Sequence, residues 1–409
     1  MLLIGPFKQV LPLTGLPAKG AIPDEALQVI ENAGVVVDGK RLVAVGPFKR
    51  LKELYPAAEL QFIEDDRVLL PGFIDAHTHI CFDGSRSRDY AMRIAGKSYL
   101  EIARAGGGIW DSVTKTRAAS LDRLVELTVE RANRHLTEGV TTIEVKSGYG
   151  LSGRDELKML EAIAQANDLT VATLIPTCLA AHMKPRDYEG EAGAYLDWVL
   201  QELVPQIAGK QWAQRFDIFI EDTAFDTTVA LPFLQQLKSR GFDLTVHADQ
   251  FTAGGSKVAV EVGAVSADHL EASREEEIAL LAASNTVATV LPGASLGLGM
   301  PYAPARKLLD AGACLAIASD WNPGSAPMGD LLLQAAVMSA AEKLSTAEVF
   351  SGLTTRAAMA LSLRQVGTLD IGMDADMQAY PCSDYRDILY YQGKMKPCKV
   401  WKQGRLVHT

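Results

Sequence analysis

The chain of 409 residues predicts a (β/α)8 TIM barrel carrying a small β-sandwich domain formed by both termini. Three observations predict it. From residue 68 onward strand-like and helix-like segments alternate, and strands separated by helices imply a parallel sheet. Eight strand candidates can be counted, the number that closes a barrel. The flanks instead hold short strand–turn–strand units with hairpin dipeptides. An open doubly wound sheet is the alternative for the same alternation.

The strand candidates are 68–76, 140–146, 170–177, 217–221, 243–247, 264–268, 285–292 and 313–319. The first is apolar enough to be buried on both faces, as parallel strands are. Between them lie helical patterns. The span 121–138 begins after Ser120, a good N-cap, and ends before Gly139. Further helices are expected at 154–167, 192–207, 227–240, 257–262, 274–283 and 303–311, and one more, 346–361, after the last strand. The flanks contain 34–45, with Asp38-Gly39, and 399–407, with Gln403-Gly404; these pairs supply the positive φ that hairpin turns favour. Residues 1–67 and 363–409 therefore read as one composite β-rich domain, and 68–362 as the barrel.

Composition narrows the function classes. A content of 48% hydrophobic and 22% charged residues is that of a soluble globular protein. The apolar runs are interrupted before the ~20 residues a membrane helix needs. The start, Met1-Leu2-Leu3-Ile4-Gly5-Pro6, has no basic segment or long apolar run and does not read as a secretory signal. Five cysteines, without C-x-x-C spacing, read as reduced thiols in a cytoplasmic protein. A net charge of −10 argues against a nucleic-acid partner and leaves an anionic substrate in need of a local cation.

Barrel strands deliver their C-terminal ends to one mouth. His77 and His79 end the first strand and, two apart, project from one face. His182 follows the third strand, His247 ends the fifth, His269 the sixth and Asp320 the eighth. Five of seven histidines thus converge; His135, inside a helix, and His408 look incidental. Three imidazoles and a carboxylate suit a divalent metal, Zn²⁺ first, with Fe²⁺ or Mn²⁺ as alternatives. A metal so held lowers the pKa of a bound water from ~16 toward ~7.

H-x-H on the first strand, histidines on the fifth and sixth, Asp on the eighth and a β domain from both termini resemble the amidohydrolase superfamily. Within it, H-T-H-I-C-F-D-G-S-R (77–86), A-G-G-G-I (105–109), T-R-A-A-S (116–120), E-V-K-S-G-Y-G-L (144–151), S-A-D-H-L (266–270) and S-D-W-N-P-G (319–324) are similar to the imidazolonepropionase family. The resemblance implies hydrolysis of the cyclic amide of 4-imidazolone-5-propanoate to N-formimidoyl-L-glutamate, a step of histidine degradation. It implies metal positions at His77, His79, His247 and Asp320, with one ion of Zn²⁺ or Fe²⁺/Fe³⁺ per chain. Substrate positions fall on Arg86, Tyr149, His182, Gln250, Asn322, Gly324 and Ser325. His269, Asp320 and His182 are the expected catalytic residues. His269 would orient or deprotonate the water, Asp320 would carry the proton to the leaving nitrogen, and His182 would donate to the ring or its oxygen. A homodimer is expected.

The residues agree with this chemistry. Arg86, on the loop seven residues past His79, could fork onto the propanoate; it could equally be a solvated loop residue. Tyr149, between Gly148 and Gly150, could enter the mouth or lie over the barrel edge. Gly106–Gly108 is either a tight loop or a mobile flap. Gln250 stands where some family members carry Glu, and an amide cannot act as a base. Strand four ends in Glu221 and the Lys is Lys146 on strand two, which favours one metal over a bridged pair. Two rivals remain at this level: a mononuclear deaminase of an aromatic base with the same ligands, and a non-catalytic scaffold, which lost ligands would mark; none is lost.

Overall fold

A computed structural model of the chain describes residues 1–409, the side chains of Tyr99, Leu100 and Ala103 excepted. Eight parallel strands run in chain order around a barrel. They are β1 (Phe73–Asp75), β2 (Val140–Lys146), β3 (Thr173–Ala181), β4 (Arg215–Phe219), β5 (Asp243–Ala248), β6 (Ser266–His269), β7 (Val287–Val290) and β8 (Leu315–Ile317). Every one of the eight expected positions carries a strand. The third runs four residues further than expected, so that His182 directly follows it.

The first strand differs in kind. The expected strand 68–76 divides at Gly72. Val68–Pro71 belongs to the terminal sheet, where it pairs with Gln9–Val10 and with Met377–Tyr380. Gly72 still donates to Asp376 O, whereas Phe73 donates to Gly139 O of the barrel. A Cβ on Gly72 would lie 2.3 Å from Thr141 Oγ1, so the crossing requires glycine.

β8 and β1 meet mainly beyond their own ends. Asp320 donates its N–H to His77 O at 3.0 Å, and His79 donates to Trp321 O at 2.9 Å. Asp75 Oδ1 accepts the Ser319 N–H at 2.9 Å. The other Asp75 oxygen stands 3.1 Å from His135 Nε2. His135 is therefore not incidental. It lies on the buried stripe of α1 (Leu121–Thr137) with Leu124, Thr128 and Ala132, and its ring meets Trp321 edge-on at 4.7 Å. A helix docked over the barrel seam supplies the partner that a buried carboxylate needs.

The termini build one eight-stranded, mostly antiparallel sheet. Its strands share one core: the Phe7 and Trp401 rings meet at 6.2 Å, and Trp401 Nε1 donates to Gln61 Oε1. The expected turns form, with φ of +57° at Gly39, +49° at Gln403 and +76° at Gly404.

Two expected helices change form. The helix beginning at 192 passes through a π turn, Val199–Leu203, and ends at Lys210. Pro205 has no N–H to give to the preceding turn. The span 346–361 breaks at Thr354, whose hydroxyl bonds back to Phe350 O. A buried helix, Leu331–Glu342, fills the gap before it and was not expected. Among the described residues, no helix is long and apolar enough to cross a membrane.

Candidate active site

The strand ends bring His77, His79 and His247 together, all buried. His77 Nε2 lies 3.2 Å from His79 Nε2, and His247 Nε2 lies 3.3 Å from it. Asp320 Oδ1 stands 3.3 Å from His79 Nε2 and 3.5 Å from His77 Nε2. Asp320 reaches this position on a left-handed backbone, φ +49°.

The proton positions follow from the partners. His77 Nδ1 is 2.7 Å from Asp268 Oδ2, and His247 Nδ1 is 2.8 Å from Asp217 Oδ2. A carboxylate oxygen accepts, so both Nδ1 atoms carry hydrogen and both Nε2 atoms present lone pairs. Burial, reinforced by Lys146, lowers His79 to about 3; burial also lowers His247, to about 4, although Asp217 opposes it. The rings are therefore neutral at pH 7. The lone pairs of His77 and His247 are thus both aimed at His79 Nε2, beside the Asp320 carboxylate, and one cation among them would engage all four groups. Tetrahedral ligands at about 2.0–2.1 Å from zinc stand roughly 3.3 Å apart, the spacing observed. The set fits a divalent metal, with carboxylates behind two imidazoles orienting them.

A second layer of charge lies beneath. Lys146 Nζ, fully buried, is 2.7 Å from Glu144 Oε1, 2.9 Å from Asp217 Oδ2 and 4.0 Å from Asp268 Oδ2. Burial pushes the Glu144 carboxyl up to about 7 despite this lysine. Glu221 spends its oxygens on the Phe251 and Thr252 N–H groups and the Thr252 hydroxyl. Neither Lys146 nor Glu221 is free to bridge a second ion.

Other expected residues surround the cluster. His182 stacks on His79, centroids 5.5 Å apart and planes at 20°. Its Nδ1 lies 3.0 Å from Gly148 O. A carbonyl only accepts, so Nδ1 carries the proton and Nε2 is an acceptor. Burial lowers this imidazole to about 3. The neutral ring in this tautomer presents an acceptor at Nε2, where a donor was expected. Tyr149 is buried 5.6 Å from the His182 ring and 5.9 Å from the His79 ring, inside the mouth rather than over the barrel edge. His269, φ +88°, faces His77 and His247 at 5.8 and 5.2 Å. Its Nδ1 is 3.5 Å from Glu271 Oε2, and Glu271 Oε1 accepts from Ser295 Oγ. Burial would lower His269, but Glu271, Asp320 and Asp268 outweigh it and raise the pKa. Gln250 follows β5, its loop held by Glu221 from the next residue on.

Arg86 donates through Nε to Asp89 Oδ2 at 2.9 Å, and the same oxygen accepts the Gly108 N–H at 2.8 Å. Gly106–Gly108 is thus a tight helix entry pinned to the carboxylate that orients Arg86. The Arg86 fork lies over Gly324, where a Cβ would stand 2.4 Å from Nη1. Both line a cavity of about 410 Å³ with Phe82, Tyr90, Arg131 and Trp321. The histidines do not line it. Asn322 is spent on its own loop: Oδ1 accepts from Gly324 and Ser325 N–H, and Nδ2 donates to Asp320 O and Ser325 Oγ. Ser325 Oγ in turn donates to Asp320 Oδ2 at 3.2 Å. These two residues shape the Asp320 loop.

Asp217, Asp268, Glu271 and Glu156 were not singled out as site residues from the sequence. For the first three the signal was present: acidic residues inside or just beyond apolar strands, such as Asp217 in D-I-F-I-E, need buried partners.

Known proteins resemble this chain at both levels. The Amidohydrolase family model matches residues 97–408. Imidazolonepropionase of Myxococcus xanthus is 39% identical over 409 residues, covering 99% of this chain and 96% of the relative. That of Symbiobacterium thermophilum is 38% identical over 98% and 95%, and that of Bdellovibrio bacteriovorus 37% over 97% and 94%. Among solved structures, guanine deaminase of E. coli superposes with TM-score 0.74 at 16% identity, covering 100% of this chain and 99% of that one. Atrazine chlorohydrolase from Arthrobacter aurescens, complexed with zinc, does so with TM-score 0.72 at 16% identity, covering 100% and 95%. The structural likenesses carry the barrel. The sequence likeness, spread over the whole length and joined to a converging set of lone pairs, means that the chain belongs to the imidazolonepropionase family of the amidohydrolases.

Proposed function

We infer that the protein hydrolyses the cyclic amide of 4-imidazolone-5-propanoate to N-formimidoyl-L-glutamate, a reaction of histidine degradation. The observation that carries this is the trio of neutral imidazoles at 3.2–3.3 Å, two backed by carboxylates, in a chain whose relatives share 37–39% identity over nearly their full length. His77, His79, His247 and Asp320 would hold one divalent ion, zinc or iron. When bound, such an ion polarises water and lowers its pKa toward 7.

The chain's own residues do the rest. Water adds to the ring carbonyl carbon, the ring C–N bond breaks, and the leaving nitrogen takes a proton. His269, with Glu271 behind Nδ1, is placed to take a proton from the attacking water and to steady the developing oxyanion. Asp320, whose carboxyl burial pushes up, can hand a proton to the leaving nitrogen. His182 Nε2 accepts a ring N–H, and Tyr149 closes the same side. Arg86 pairs with the propanoate through its free Nη edge, beside Gly324. Gln250 holds substrate.

The test is an ultraviolet assay that follows loss of the imidazolone chromophore, with elemental analysis of the purified chain. Turnover that a chelator abolishes and one equivalent of zinc or iron restores is expected. No turnover by metal-loaded protein sinks the assignment. Two equivalents per chain overturn the single-ion site.

A further inference from the structure

Glu156 sits on the first turn of α2 (Gly153–Leu169), fully buried, outside every residue set named above as touching substrate or metal. Its Oε1 accepts the Gly150 N–H at 2.8 Å and the Leu151 N–H at 2.7 Å, and its Oε2 accepts the Gly148 N–H at 3.1 Å. An ionised carboxylate offers about four acceptor sites, and three are filled by the backbone of one loop, 148–151.

That loop cannot take this shape unaided. Gly148 has φ +107° and Leu151 φ +48°. A Cβ on Gly150 would lie 2.5 Å from the Asp155 carbonyl carbon and the Glu156 nitrogen. The bonds flank Tyr149 on both sides. They also flank the peptide that carries Gly148 O, the acceptor that sets the His182 tautomer. Ser147 Oγ accepts the Leu179 N–H at 3.0 Å, and Leu179 O accepts the His182 N–H at 3.1 Å, so the hydroxyl ties the loop to β3 as well.

We propose that Glu156 is a positioning residue. By gathering the N–H groups of Gly148, Gly150 and Leu151 it aims Tyr149 and holds His182 with Nε2 as a hydrogen-bond acceptor for the substrate ring. The inference rests on the assignment of His182 and Tyr149 as substrate contacts. An amide at 156 keeps one acceptor oxygen but turns N–H toward N–H at Gly148, so that peptide must move and Gly148 O with it.

The experiment is a double-mutant cycle on the metal-loaded enzyme with E156Q, H182A and the pair. E156Q should lose about 30–100-fold in kcat/KM, the scale of a 1 Å misplacement, while metal content stays that of the parent and the melting temperature falls by no more than about 3 °C. In the H182A background the same change should cost under threefold, because its route to the substrate is already gone. Imidazole ¹⁵N shifts of His182 should move from one tautomer toward a mixture. If E156Q does not accumulate folded, S147A, which removes only the hydroxyl link, should lose about 3–10-fold in the same His182-dependent way. Parent-level kcat/KM in the folded glutamate variant, or in S147A where that one replaces it, overturns the inference if H182A is impaired, as does a loss that persists undiminished in H182A. Parent-level turnover in H182A overturns instead the underlying assignment of His182.

Discussion

Replacing Lys146 by Met removes one charge and keeps most of the side chain's length. In the folded protein Nζ lies 2.7 Å from Glu144 and 2.9 Å from Asp217, with Asp268 at 4.0 Å. At an effective dielectric near 20 one such pair is worth about 4 kcal/mol at 4 Å. Deleting one partner of a buried pair costs about 3–5 kcal/mol after relaxation. Unfolding entropy near 2.1 cal/mol/K per residue over 409 residues is about 0.9 kcal/mol/K. The melting temperature should therefore fall by about 4–6 °C. A second effect follows from the geometry. Asp217 and Asp268 hold Nδ1 of His247 and His77, and without Lys146 they lose their counter-charge and keep only the His247 N–H and the Thr245 hydroxyl beside the imidazoles. Metal affinity should fall about 10–100-fold, as when such supporting partners are lost elsewhere. Calorimetry and chelator competition read the two effects separately. A variant that melts within 1 °C of the parent and binds metal within twofold refutes the account. Lower stability with unchanged affinity would leave Lys146 a structural ion only.

Burial would push the Asp217 carboxyl up, but His247 and Lys146 hold it well below the usual carboxylate range. Its folded pKa is thus below the unfolded ~3.9, so its contribution is present above about pH 4 and is lost as pH falls through the folded value. Melting temperature against pH should show an acid limb below about 4 that D217N flattens; an unchanged limb in D217N counts against this pairing. Burial pushes Cys81 and Cys314 up to about 11 and Cys382 up to about 12, and raises Cys178 as well. An aromatic disulfide reagent at pH 8 should modify at most Cys398, the half-buried thiol, before unfolding, and all five in denaturant; two fast thiols in native protein would contradict the burial. G324A has room on the backbone but pushes the Arg86 fork aside. It should raise KM about 10-fold or more with an unchanged melting temperature, and an unchanged KM would remove Arg86 from substrate binding.

What the sequence made legible and what it hid divide along a physical line. The barrel was legible because eight apolar runs with helical spacers have few other ways to bury themselves. The converging cluster was legible because a strand end is the one place where His77, His79, His247 and Asp320, up to 243 positions apart, can meet. Direction along a chain, however, does not report who accepts a hydrogen bond from whom. His182 looked like a donor until Gly148 O stood beside its Nδ1. The Asn322 amide is committed to its own loop, a pairing that its place in S-D-W-N-P-G does not report. His135 looked incidental because its partner, Asp75, is 60 positions away on a strand it covers. The break at Gly72 was hidden for a related reason: V-L-L-P and F-I-D are both apolar, and only the approach of Thr141 shows that they serve different sheets. Burial can be inferred from residue type alone, but the pairing of buried polar groups is a property of three-dimensional neighbours. A buried acidic residue in such a chain is therefore the residue whose partner most needs to be found, as Asp217 and Asp268, paired with His247 and His77, and Glu156, paired with the loop around Tyr149, show.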